Sequence, residues 1–142
     1  MDLTYFRNMT NLDGFPLSSE AQANFNIECR DDEDGILLLL LTGRWTNRNA
    51  ASLENEMSRL VKEHSATRVL ADISALKGRL GVVDCYLHVQ RLPSDSRACK
   101  TAFLDLPENL ENDSFLQITA ENRGFPVRCF TSRAEAMKWL KE

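Results

Sequence analysis

The stretch that decides the fold is residues 36–73, ILLLLLTGRWTNRNAASLENEMSRLVKEHSATRVLADI. It begins with the apolar run of residues 36–41, which is too short for a good helix and typical of a strand covered on both faces. Residues 47–64 repeat apolar side chains at three- and four-residue steps, which predicts an amphipathic helix. Residues 67–73 predict another buried strand. A strand, a helix and a strand at this spacing indicate a parallel pair with a right-handed crossover.

The flanking sequence extends this pattern in both directions. Upstream, residues 25–29 alternate apolar and polar side chains, and the acidic turn of residues 31–35 joins them to the leucine run as a hairpin. Downstream we expect helices over residues 82–92, 107–122 and from 133 onward, and strands over 100–104 and 125–130. The predicted fold class is α/β, with a mostly parallel sheet of four to five strands, an antiparallel first hairpin and about four flanking helices.

Apolar spacing also predicts the buried helix positions. These are Val83, Tyr86, Leu87 and Gln90 on the second helix, Leu110, Phe115 and Ile118 on the third, and Ala136, Trp139 and Leu140 on the last. Ser132-Arg133-Ala134-Glu135 is a capping box, in which the hydroxyl and the carboxylate each satisfy a free amide at the start of the last helix.

Length and charge restrict the class of protein. A chain of 142 residues suits one domain, which we place at residues 24–142 behind an N-terminal arm or tail, residues 1–23. The arm carries enough apolar side chains to dock on the body or on a second subunit, and a homodimer is one expected outcome. The net charge of −4 gives no strong positive field, so nucleic acid is not an expected partner.

The sequence indicates neither a membrane span nor a catalytic or metal centre. Its longest apolar run is far below the roughly 20 residues that cross a bilayer, and the N-terminus does not read as a secretory signal, so we expect a cytoplasmic protein. Cys29, Cys85, Cys99 and Cys129 are too far apart for a preorganised zinc or redox motif and are expected to be free thiols. No triad or carboxylate pair stands out, and we expect no cofactor.

The loop that follows strand 67–73 is the main candidate for ligand binding. Ligands of open parallel sheets bind beyond the carboxyl ends of the strands, and this loop should lie there with residues 105–108. Its cations and glycines could present charge and free amides to an anion; the candidate residues are Asp72, Ser74, Lys77, Gly78, Arg79 and Gly81. The alternative is an ordinary solvated turn whose charge is balanced by Asp72 and Asp84.

A secondary candidate is formed by Arg44, Trp45 and Arg123. They could pair a cation with an aromatic ring, or simply cover the core. His64 and His88 fall on predicted helices and are expected to be packed or surface histidines rather than ligands.

The segments DGILLLLLTGRWT, RVLADISALKGRLG and NRGFPVRCFTSRAEAMKWL, in that order, resemble the bacterial SpoIIAA-like family. This family is grouped with the STAS domains of sulphate transporters and anti-sigma-factor antagonists and with the CRAL-TRIO lipid-transfer fold. The resemblance covers about residues 24–142 and implies a sheet of four or five strands flanked by helices. STAS antagonists are switched by phosphorylation of a serine in an Asp-Ser-Ser-Gly motif, which residues 74–81, SALKGRLG, lack.

Two functions follow as hypotheses. The resemblance implies a noncatalytic binding or regulatory module of STAS type that docks a protein partner or a second copy of itself. The alternative is a carrier of a small apolar or lipid-like ligand in a CRAL-TRIO-like crevice. An enzyme ranks third, since it would need a pocket with a titratable pair that the sequence does not reveal.

Overall fold

The structure is a computed structural model that describes residues 24–32 and 34–142. The predicted arm, residues 1–23, lies outside the described residues, as does residue 33 of the acidic turn. The strands are β1 (Phe25–Asp31), β2 (Leu37–Arg44), β3 (Arg68–Asp72), β4 (Leu76–Lys77), β5 (Lys100–Leu104) and β6 (Val127–Phe130). The α-helices are α1 (Ala50–Glu63), α2 (Val82–Gln90), α3 (Leu110–Asn122) and α4 (Arg133–Lys141), and two 3-10 segments cover Ser94–Ala98 and Pro107–Asn109.

The strands form one sheet in the order β1-β2-β3-β5-β6. β1 is antiparallel to β2, and the other pairs are parallel, which confirms the predicted fold class. The two-residue strand β4 was not predicted. It pairs with the end of β2 at Gly43 and Arg44, beyond the point where β3 stops. The loop after β3 is thereby held against the carboxyl end of β2.

Two cores cover the two faces of the sheet. Alternate residues of β2, Leu37, Leu39 and Leu41, join the larger core beneath α1, α2 and α3. On the opposite face Ile36 packs with Ala136 and Leu140 of α4 in a smaller core. The expectation that the leucine run is covered on both faces is only partly met, because α4 lies over β3, β5 and β6 and leaves Leu40 38% exposed.

The predicted buried face of α2 was wrong. Val83 and Tyr86 are 70% and 51% exposed, and Leu87 and Gln90 are exposed as well. Cys85, His88 and Val89 face the core instead. Both sides of this short helix carry apolar residues, so periodicity alone could not identify the side that packs.

The prediction for α3 was also mostly wrong. Leu110 and Ile118 are exposed, Phe115 is half-buried, and the residues that face the core are Asp113, Leu116 and Ala120. The cause is a buried aspartate, which a hydrophobic pattern assigns to the solvent side.

The last helix follows its prediction more closely. Ser132 Oγ accepts a hydrogen bond from the Glu135 amide, and Ala136 and Leu140 are buried. Trp139 is half-buried, with its ring tilted against Phe130. No helix in the described part of the chain is long and apolar enough to cross a membrane.

Candidate functional site

The loop after β3 is built from its own hydrogen bonds. Asp72, the last residue of β3, accepts through Oδ1 from the Ser74 amide at 3.0 Å and from the Ser74 hydroxyl at 2.6 Å. This local pairing of an aspartate with the residue two positions on is an Asx turn. Both side chains therefore shape the start of the loop.

Arg79 forms the centre of the loop, and all of its N–H groups are engaged. Nε and Nη2 donate to the two carboxylate oxygens of Asp105 at 2.9 and 2.6 Å. Nη2 also donates to the carbonyl of Ile73, and Nη1 donates to the carbonyls of Leu76 and Gly78, at 2.6–2.8 Å. A guanidinium has five N–H donors, so none remains for an anion. This geometry favours a structural role for Arg79.

The backbone conformation at position 78 requires a glycine. Its φ is +84°, and a Cβ placed there would lie 2.7 Å from the carbonyl oxygen of Trp45. The Trp45 amide in turn donates to the carbonyl of Lys77 at 2.8 Å. Gly81 is the N-cap residue of α2, and its carbonyl accepts from the Cys85 amide. Gly78 therefore lets the loop turn from β4 toward α2 close to the end of β2.

One pair of exposed cations is brought together at this edge. Arg44 and Lys77 are partners in the register of β2 and β4, and both side chains are exposed. Both remain accessible to an anion, and binding of an anion there stays a prediction.

The secondary grouping of Arg44, Trp45 and Arg123 is not assembled. The Trp45 ring packs edge-on against His88, with 6.1 Å between ring centroids. Arg123 hydrogen-bonds to Gln90 of α2, and its carbonyl accepts from Arg97. Trp45 is buried, so it does cover the core, which was the other interpretation of this group.

A buried carboxyl pair, missed by the sequence analysis, lies beside Arg79. Burial favours the neutral form of Asp105, but the hydrogen bonds of Arg79, Asp113, the Leu106 amide and Asn109 together outweigh burial and hold the pKa of Asp105 below its usual value. Burial, with the hydrogen bond and charge of Asp105, raises the pKa of Asp113 to about 8. At neutral pH Asp105 is therefore ionised, and Asp113 is a neutral acid that donates to it.

This cluster is poorly placed for chemistry. Asp105 and Asp113 are buried, and burial together with the charge of Asp113 also raises the pKa of the neighbouring Cys85 thiol to about 11. A thiol protonated at neutral pH is a weak nucleophile. Across residues 24–32 and 34–142, no group of three or more histidine, cysteine or acidic side chains could hold a metal ion. Asp105 directly follows β5, as Asp72 ends β3, and that placement was the one sequence feature that could have revealed the cluster.

The Arg79–Asp105 pair joins the segments that precede α2 and α3, and these helices pack side by side. Large apolar side chains are exposed at their adjoining ends. We name this surface the α2–α3 patch; it consists of Val82, Val83, Tyr86, Leu87, Leu106 and Leu110. Scattered exposed apolar residues are normal, but a group of large ones on adjoining elements marks a binding surface.

The fold is shared with solved bacterial structures. An anti-sigma factor antagonist from Mycobacterium paratuberculosis superposes with a TM-score of 0.56 at 16% sequence identity, over 86% of this chain and 98% of that one. An uncharacterised DUF3478 protein from Shewanella loihica, described as having a SpoIIAA-like fold, gives 0.54 at 16% identity, over 82% and 94%. No protein-family model and no curated protein matches the sequence. The structural likenesses show that this chain has the SpoIIAA-like fold that its sequence resemblance predicted.

Proposed function

We propose that this chain is a noncatalytic regulatory module that binds another protein through the α2–α3 patch. The observation that carries the proposal is the exposure of large apolar side chains at the adjoining ends of two packed helices. The shared fold with an anti-sigma factor antagonist supports a regulatory role. The buried carboxyl pair supports a noncatalytic role for the chain, because Arg79 neutralises the charge of the pair and burial shields its protons from a substrate.

The charge around the patch defines the chemistry of the partner. Asp84 on α2 and the exposed Glu108 and Glu111 before and on α3 belong to the same segments as the patch. A partner that presents aliphatic side chains flanked by lysine or arginine would match both features. A second copy of this chain would match poorly, because a two-fold dimer would oppose identical acidic rims.

A capture experiment with matched variants tests this proposal. Immobilised wild-type protein, Val83→Asp and Ile118→Asp are exposed to an extract of the source cells, and retained proteins are quantified by mass spectrometry. Ile118 is a suitable control because it is 57% exposed on α3 but lies outside the patch. We expect a specific protein that wild type and Ile118→Asp retain and Val83→Asp loses, and that binds less as salt is raised.

Purified partner must then bind wild type and fail to bind Val83→Asp. If Val83→Asp and Ile118→Asp retain the partner protein equally, the patch is not the binding surface. Light scattering could instead show that wild type is a dimer and Val83→Asp a monomer. That result would mean that the α2–α3 patch binds a second copy of this chain and not the proposed partner.

We infer a cytoplasmic location for this module. Cys29, Cys85, Cys99 and Cys129 are all free thiols in the fold. Reducing compartments keep thiols in this form, whereas disulfides form and persist in secreted proteins.

A further inference from the structure

A cavity of about 370 Å³ lies in the larger core, between α1, the sheet and the packed helices α2 and α3. It extends from Trp45, just past the carboxyl end of β2, to Thr67 and Cys99, next to the amino ends of β3 and β5. Its lining includes the exposed residues Ser65 and Asp95, so the cavity opens at the amino edge of the sheet. The α2–α3 patch belongs to the opposite edge.

The size and walls of the cavity fit a small apolar molecule. Its sides are formed largely by aliphatic and aromatic residues, among them Leu53, Met57, Val61, Leu92, Phe103 and Leu116. An apolar cavity of roughly 150 Å³ holds a benzene molecule, and ligand pockets commonly start near roughly 300 Å³. This cavity therefore has room for a molecule of about ten to twelve carbons.

One wall offers a hydrogen-bond donor that no described residue uses. Trp45 is 5% exposed, and its Nε1–H has no acceptor within the described part of the chain. A buried donor without an acceptor is destabilising, so a ligand oxygen that accepts from Nε1 would remove that destabilisation. His88 packs edge-on against this ring and also lines the cavity.

The Glu54 carboxylate argues against an anionic ligand group at the Trp45 and His88 end of the cavity. Glu54 lines the same cavity, with Oε2 2.6 Å from His88 Nδ1 and 2.9 Å from Arg91 Nη2. Burial would raise the pKa of Glu54, but the close approach of His88 and Arg91 together outweighs burial and lowers it. Glu54 is therefore a carboxylate at neutral pH, and a ligand carboxylate beside it would be repelled.

We propose that this cavity binds a neutral, mainly apolar molecule of about ten carbons whose carbonyl or hydroxyl oxygen accepts a hydrogen bond from Trp45 Nε1. The proposal is independent of the docking partner, because the cavity opens at the other edge of the sheet.

Three probes of equal chain length test the proposal on the intact protein. 2-Decanone supplies a neutral acceptor, decane supplies none, and decanoate supplies a charged one. Binding is followed through the indole N–H resonances of ¹⁵N-labelled protein, with Trp45 assigned from Trp45→Phe and Trp139 from Trp139→Phe. We expect 2-decanone to shift the Trp45 resonance in a saturable way and to bind more tightly than decane or decanoate, while the Trp139 resonance stays unmoved.

The variants sharpen the test. Trp45→Phe keeps an aromatic ring but removes the donor, and should weaken 2-decanone binding by about two- to tenfold, the value of one neutral hydrogen bond. Trp139→Phe is the matched control, because Trp139 belongs to α4 on the other face of the sheet. Val83→Asp should bind the probe as wild type does, which separates this site from the docking surface.

An unmoved Trp45 resonance up to the solubility limit of 2-decanone would overturn the proposal. Equal affinity for decanoate and 2-decanone would overturn the requirement for a neutral ligand. Should Trp45→Phe fail to fold, the three-probe comparison on wild type decides the question by itself, with Trp139→Phe supplying the assignment.

Discussion

Arg79 and Asp105 form a two-pronged ion pair, with N–O distances of 2.9 and 2.6 Å, that ties the loop before α2 to the loop before α3. Only 7% of the Arg79 side chain and 1% of the Asp105 side chain are exposed. A buried charge that loses its partner is strongly unfavourable. The pair therefore fixes the ends of the two helices that carry the α2–α3 patch.

Asp105→Asn is expected to destabilise the protein by about 3 kcal/mol, because it leaves the Arg79 guanidinium without its main counter-charge. Urea denaturation measures this change. Asp34→Asn is the matched control, since Asp34 pairs with Lys141 at the surface and its loss should leave the denaturation midpoint almost unchanged. Equal effects of the two variants would contradict the role assigned to Asp105.

Asp113 can replace Asp105 as the negative charge beside Arg79. Its Oδ1 lies 4.0 Å from Arg79 Nε, and the loss of the Asp105 charge would let it ionise. We therefore expect Asp105→Asn/Asp113→Asn to be destabilised by more than the sum of the two single variants. A double-mutant cycle by urea denaturation checks this, and simple additivity would contradict it.

The raised pKa of Asp113 also predicts a pH dependence of stability. The pKa of this carboxyl is about 8 in the fold and about 3.9 in an unfolded chain. Between these values the folded state holds the extra proton, so the free energy of unfolding should fall as the pH rises from about 4 to 8 and then level off. Burial and the neighbouring Asp105 raise this pKa, and the charge of Arg79 opposes the rise.

Unfolding in urea at pH 5, 6, 7 and 8 measures the effect. Asp113→Asn has no proton to lose, so its stability should decline less over this range than that of wild type. The lowered pKa of Asp105 contributes only in more acidic solution, where its stabilisation is lost as the pH falls through its folded pKa. Parallel pH profiles for wild type and variant would contradict the assignment.

The sequence was sufficient where the pattern is local. The apolar run of β2, the crossover to β3 and the Ser132 cap all depend on neighbouring residues, and the structure confirms them. It was not sufficient for the faces of α2 and α3. α2 carries apolar residues on both sides, and the core side of α3 includes Asp113, which lies 4.0 Å from Arg79. A buried charged residue cannot be distinguished from a solvated one by spacing.

In the candidate site, too, the sequence predicted local features but not those formed by distant parts of the chain. The loop after β3 was interpreted either as an anion site or as an ordinary turn, and the hydrogen bonds of Ser74 to Asp72 form a turn at its start. The cavity beside Trp45 depends on how helices from distant parts of the chain pack over the sheet. The sequence could therefore suggest a small apolar ligand as an alternative function but could not locate a place for it.

Gly78→Ala is expected to destabilise the fold more than Gly35→Ala. Both glycines have a positive φ, so both variants carry the backbone cost of about 1–2 kcal/mol for a left-handed residue. A Cβ at position 35 meets nothing within 4 Å, whereas one at 78 lies 2.7 Å from the Trp45 carbonyl oxygen. Thermal unfolding of the two variants compares them directly, and equal melting temperatures would show that this close approach relaxes freely.

Ser132→Ala tests the cap that the sequence predicted. The Ser132 hydroxyl accepts from the Glu135 amide at 3.3 Å, and loss of such a cap costs about 1 kcal/mol. Because α4 seals the smaller core through Ala136 and Leu140, fraying of its first turn should reduce the stability of the whole domain. Ser52→Ala is the matched control: Ser52 is exposed within α1, where alanine is the better helix former, so this variant should be unchanged or slightly more stable. Urea midpoints that fall equally for both variants would show that the hydroxyl at position 132 has no special capping role.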